Sequence, residues 1–169
     1  MDGWIDGWIY FAYCPLIWMC HSRKLNTRIN RIHERALRIV FQNKTLSFQQ
    51  LLLKADMVEI HQKNLQVLAT ELFKVKHNIS PPIMKEVFPI RIMKYNLWNN
   101  PTFNTRNTHS VSYGTETLSH LGPKIWALIP DAIKDSKTLP IFKSKIKTWI
   151  PDQCPCRLCR TYIANLGFI

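Results

Sequence analysis

Ser22-Arg-Lys-Leu-Asn-Thr-Arg-Ile-Asn-Arg-Ile-His-Glu-Arg-Ala-Leu-Arg-Ile-Val-Phe41 is the stretch that decides the fold class. Leu25, Ile29, Ile32, Ala36, Ile39 and Val40 recur at spacings of three and four, which gives a helix one apolar face. At about 100° per residue, Lys24, Arg28, Arg31, Arg35 and Arg38 share an arc of roughly 80° beside that face. Five cations on one stripe repel each other, and only Glu34 stands near enough to offset them. Helix propensity would be served equally well by Glu or Gln at those positions. A stripe of one sign is therefore explained by an anion that it touches.

Working outward, residues 2–9 repeat Asp-Gly-Trp-Ile twice, a pattern nothing downstream continues. Residues 1–13 read as a low-complexity leader outside the fold. The apolar run from Gly7 to Cys20 has acidic rather than basic N-side flanks and contains Pro15. It is too short to span a bilayer comfortably, so a membrane segment is not the expectation.

On the C-terminal side, Asn43 to Thr45 makes a turn and Ser47 caps a short helix through Leu53. Asp56 and Glu59 have capping-box spacing and open a long helix to His77, with a seam of Leu65, Leu68, Leu72 and Val75. Ser80-Pro81-Pro82 ends that helix and starts another, Ile83 to Phe88. The segment from Arg91 to Tyr113, rich in Asn, Thr and Ser, reads as irregular or partly extended. Gly122-Pro123 restarts order, with Pro123 in the first turn of a helix carrying Ile125 and Trp126. The last helix runs from Pro140 to Ile150 behind Thr138, burying Phe142, Ile146 and Trp149 and turning Lys143, Lys145 and Lys147 to solvent. The expectation is a mostly α chain, a small irregular helical assembly with a loop-rich middle. Its parts would be a helical region over 14–90, a linker over 91–115 and a C-terminal helical extension over 116–169.

Composition bounds the function. With 46% apolar residues the chain is ordered rather than disordered, and 169 residues suffice for one domain or two small helical units. Lys and Arg number 23 against 11 Asp and Glu, a formal charge of +12. That excess points to a polyanionic partner, nucleic acid before a membrane surface. Phosphodiester chemistry needs clustered carboxylates to clamp two metal ions, and here the aspartates are scattered with no Asp-Asp pair. There is no phosphate-cradling glycine loop and no nucleophile elbow. The sequence shows no catalytic site.

Cys154, Cys156 and Cys159 crowd into six residues directly after the last helix. The gap between Cys156 and Cys159 lets two thiolates reach one zinc ion, and Cys154 could supply a third. No Cys or His follows Cys159, so Cys14 or Cys20 would have to complete the set. Reduced intracellular thiols without metal are the competing reading. The six histidines lack metal-helix spacing, and His61 falls in register with the Leu65 seam as a core or edge residue. Arg157, Arg160 and Tyr162 make the tail basic and partly aromatic, which suits phosphate contact.

Several stretches together resemble a known type of protein. They are Tyr13-Cys-Pro-Leu-Ile-Trp-Met19, Arg31-Ile-His-Glu-Arg-Ala-Leu-Arg-Ile-Val40 and Ser47-Phe-Gln-Gln-Leu-Leu52. Ile60-His-Gln-Lys-Asn-Leu65, Tyr95-Asn-Leu97, Leu121-Gly-Pro-Lys-Ile-Trp126 and the Cys-Pro-Cys-Arg-Leu-Cys tail follow in order. The set resembles the C-terminal region of reverse transcriptases from non-LTR retrotransposons of the jockey-like kind. The resemblance implies a thumb and terminal extension lying after the polymerase palm. The palm would carry the paired aspartates and the Mg²⁺, so no catalytic residue is carried over and the palm becomes an expected partner. The family motif after Tyr95 reads Asn-Leu-Arg, and Trp98 replaces its arginine here. A thumb of this kind would present its cationic helix to the backbone of an RNA or DNA duplex. The phosphate-contacting residues would be Lys24, Arg28, Arg31, Arg35, Arg38, Arg157 and Arg160. A basic helical module that docks on acidic proteins, or a small zinc-stabilised tail, are the competing functions.

Overall fold

The computed structural model describes residues 14–19, 22–92, 101–105, 117–151, 154–156 and 159. Among them the chain is mostly α, with eight helices and no strand. These are α1 (Pro15–Trp18), α2 (Arg23–Val40), α3 (Phe48–Lys54), α4 (Ile60–Lys76), α5 (Pro82–Val87), α6 (Leu118–Leu128), α7 (Asp131–Lys134) and α8 (Leu139–Lys147). Two compact units divide the chain, Met1–Asn64 and Leu65–Ile169, and the division falls inside α4. The leader 1–13 lies outside the described residues.

In the first unit α2 begins after Ser22 and ends where Gln42 takes a left-handed conformation, φ 48°. The Asn43 side chain then organises the turn: its Oδ1 accepts from the Thr45 and Leu46 amides at 2.9 and 3.1 Å. This is an Asx turn, in which a short amide side chain mimics backbone. Ser47 closes a full capping box, its Oγ accepting from the Gln50 amide while Gln50 Oε1 accepts from the Ser47 amide. The core is small. Leu37, Leu51 and Leu52 are buried, with Phe41, Leu46, Phe48, Ala55 and Met57 packed against them. His33 adds an edge-to-face contact with Phe48, centroids 5.7 Å apart.

That core does not use the face of α2 that the apolar spacing marks. Leu25, Ile32, Ile39 and Val40 stay 46%, 53%, 71% and 46% exposed. His33 and Leu37 are the buried residues of α2. The buried line is displaced by roughly a quarter of a turn from the predicted one. The reason is geometric: α3 docks through Leu51 and Leu52, and it is short enough to cover only the face bearing His33, Leu37 and Phe41.

Asp56 does not stand at the start of the long helix, which begins at Ile60. Asp56 is left-handed, φ 50°, and stands in the turn that terminates α3, where the Met57 amide returns to the Leu52 carbonyl at 2.9 Å. α4 starts later, with the Glu59 carbonyl accepting from Lys63 at 2.9 Å.

The second unit is built on the α4 seam, where Leu65, Leu68, Leu72 and Val75 are all at most 2% exposed. Aromatic rings extend this seam. Phe73 stacks on Phe142 at 4.3 Å, and Phe142 on Trp126 at 6.2 Å. Phe103 meets Trp126 edge-on at 5.6 Å. Phe103 belongs to the segment expected to be a linker, yet it is 1% exposed, held by a bridge between Ile90 and Phe103. Thr102 Oγ1 also accepts from Trp126 Nε1 at 3.2 Å. Pro123 lies inside α6 rather than in its first turn, because the helix already begins at Leu118. Gly122 beside it allows close approach: a Cβ there would stand 2.4 Å from Cε1 of Phe88. In α8, Phe142 and Ile146 are buried, and Trp149 just beyond it is too.

Candidate nucleic-acid interface and metal centre

α2 holds the cationic stripe. Lys24, Arg28, Arg31 and Arg35 are exposed, and among the described residues none of them has an ion-pair partner. Arg38 differs. Its Nη2 and Nε donate to Glu34 Oε1 at 2.7 and 3.2 Å, and Nη1 donates to the Lys44 carbonyl. Arg38 is thereby committed to the helix end and the turn behind it, leaving a ridge of four. The rise from Lys24 to Arg35 makes this ridge about 16 Å long. Arg157 and Arg160 lie outside the described residues, as do Tyr95 to Trp98.

The cysteine segment acquires a ligand that its own spacing does not reveal. His61, in the first turn of α4, joins Cys154, Cys156 and Cys159, and one ligand atom from each lies within 4.8 Å of all the others. This cluster can hold a metal ion. Cys154 and Cys156 are buried, His61 and Cys159 half-buried. Cys14, proposed as a fourth ligand, is exposed and outside the group, and Cys20 lies outside the described residues. None of the four described cysteines is in a disulfide. Hydrogen bonding with Cys156 and Cys159, together with burial, pushes the Cys154 thiol far above the usual thiol range. Three sulfurs crowded in this way cannot all ionise unless a cation neutralises them.

The local reasons for this convergence are legible in the structure. α4 continues upstream of its buried seam by one further turn, so His61 stands one turn before Leu65 on the same side. At the other end, Gln66 Nε2 donates to the Lys147 carbonyl at 3.0 Å. That bond anchors the end of α8 seven residues before Cys154. Trp149, 8% exposed, adds an apolar anchor between them. The only sequence signal for His61 was its register with Leu65, which fits a core histidine as well as a ligand.

The chain matches no family model, no curated protein and no solved structure. Among the described residues no helix is long and apolar enough to cross a membrane.

Proposed function

We propose that this chain is a non-catalytic, zinc-stapled helical module that grips the sugar–phosphate backbone of RNA or DNA. In this reading it acts as the thumb and terminal extension of a jockey-like reverse transcriptase would. The observation that carries it is the ridge of Lys24, Arg28, Arg31 and Arg35, exposed on one stripe of α2. Such a ridge binds phosphates without reading bases, so affinity would be insensitive to sequence and steeply dependent on salt.

Zinc suits the tail because one imidazole and three thiolates form a closed tetrahedral structural set. Mg²⁺ prefers oxygen ligands and belongs to the palm. A zinc ion held by all four ligands would have no open coordination position for catalysis. The direct test is binding of the full chain to an RNA–DNA duplex, with the four ridge cations intact or replaced by Gln.

A further inference from the structure

Phosphate binding leaves one feature of α2 unexplained. Next to the cations runs an apolar strip, Leu25, Ile29, Ile32, Ala36 and Ile39, spaced four, three, four and three residues apart. This is the heptad spacing of a helix–helix seam, in which apolar side chains pack as knobs into holes. Leu25, Ile32 and Ile39, one heptad apart, are 46%, 53% and 71% exposed. The unit's own core lies on another side of the helix, at His33 and Leu37. We infer that this strip is a docking surface for an amphipathic helix of another protein, one carrying carboxylates at the positions that face Arg28 and Arg35.

Charge selects that occupant. In heptad terms Arg28 and Arg35 both flank the seam on one edge, where a partner helix places its own flanking side chains. Among the described residues of α2 no carboxylate lines the strip: Glu34 lies on the far side of the helix and is taken by Arg38. A second copy of this chain would bring arginine to arginine in an antiparallel pair, or arginine to Asn26 and His33 in a parallel one. Two chains of net charge +12 also repel. A lipid surface fits less well, because the cations border the strip on one edge only. The other edge turns into the protein at His33 and Leu37. Ala36, exposed near the middle of the strip, lets a partner backbone approach closely.

The inference does not depend on nucleic-acid binding, and its test separates the two. Labelled peptides of about three heptads, with Leu at the seam and either Glu or Lys at the flanks, are titrated against the full chain by fluorescence anisotropy. The Glu peptide should bind and the Lys peptide should not. I32Q/I39Q should weaken the Glu peptide at least about tenfold while leaving helicity and RNA affinity unchanged. R28E/R35E should reverse the preference toward the Lys peptide. Equal binding of both peptides, or of neither, overturns the proposal. So does a chain that dimerises through Ile32 and Ile39, or that docks on anionic vesicles through them. Loss of RNA affinity in I32Q/I39Q would assign the strip to nucleic acid instead.

Discussion

Gln66 Nε2 donates to the Lys147 carbonyl at 3.0 Å, although 81 residues separate them in sequence. Gln66 is 5% exposed, so this bond joins the buried side of α4 to the end of α8. Replacing Gln66 by Ala removes a buried donor from a carbonyl at a helix end, where intrahelical partners are already lacking. Gln66→Ala should cost about 1 to 3 kcal/mol, read as a lower urea midpoint with an unchanged slope.

Metal content follows from the ligand set. Protein purified without chelator should carry about one equivalent of zinc, and His61→Ala or Cys156→Ser should reduce it markedly. A chelator should lower the melting temperature of the parent chain and leave that of Cys156→Ser nearly unchanged. Zinc affinity should fall as pH falls, because thiols and imidazole must lose their protons to bind. Content below about half an equivalent would contradict the assignment.

His33 makes the first unit sensitive to acid. Burial lowers its pKa from the usual histidine value, so the folded state favours the neutral ring. A lowered folded pKa contributes stability that is present above the unfolded value and lost as pH falls through the folded one. Helicity of α2 should therefore weaken as the pH falls below the ordinary histidine value of about 6.5. His33→Leu should flatten that dependence in a circular dichroism titration.

Gly122→Ala tests close packing in the second unit. Alanine would favour a helix by about 1 kcal/mol on propensity alone. Here its Cβ would stand 2.4 Å from the Phe88 ring, which is wholly buried. The substitution should be destabilising by about 1 to 3 kcal/mol in chemical unfolding. Neutral or increased stability would show that the ring yields more easily than its burial implies.

Much of the helical order was legible from residue chemistry. Ser47 had a cap's identity and caps α3, and the α4 seam of Leu65, Leu68, Leu72 and Val75 is buried as periodicity implied. Errors arose where a local pattern competed with tertiary structure. The strongest apolar periodicity in α2 marks a face left exposed, because burial depends on which neighbour docks and not on the moment of one helix. Asp56 and Glu59 have capping spacing, but the end of α3 claims Asp56 for its own left-handed turn. The metal cluster was half visible: spacing within the tail exposes Cys154, Cys156 and Cys159. His61, more than 90 residues away, joins them only through the fold.

The account stands or falls on the cationic ridge of α2. The decisive measurement is the affinity of the full chain for an RNA–DNA duplex as a function of salt, for the parent and for a variant with Lys24, Arg28, Arg31 and Arg35 changed to Gln. The parent should bind with a log–log salt slope steeper by about 3 than the variant's, with the variant losing most of its affinity near physiological salt. Arg38→Gln alone should change little, since Glu34 already holds that guanidinium. Equal affinity and equal slope for parent and fourfold variant would show that the ridge does not meet phosphate.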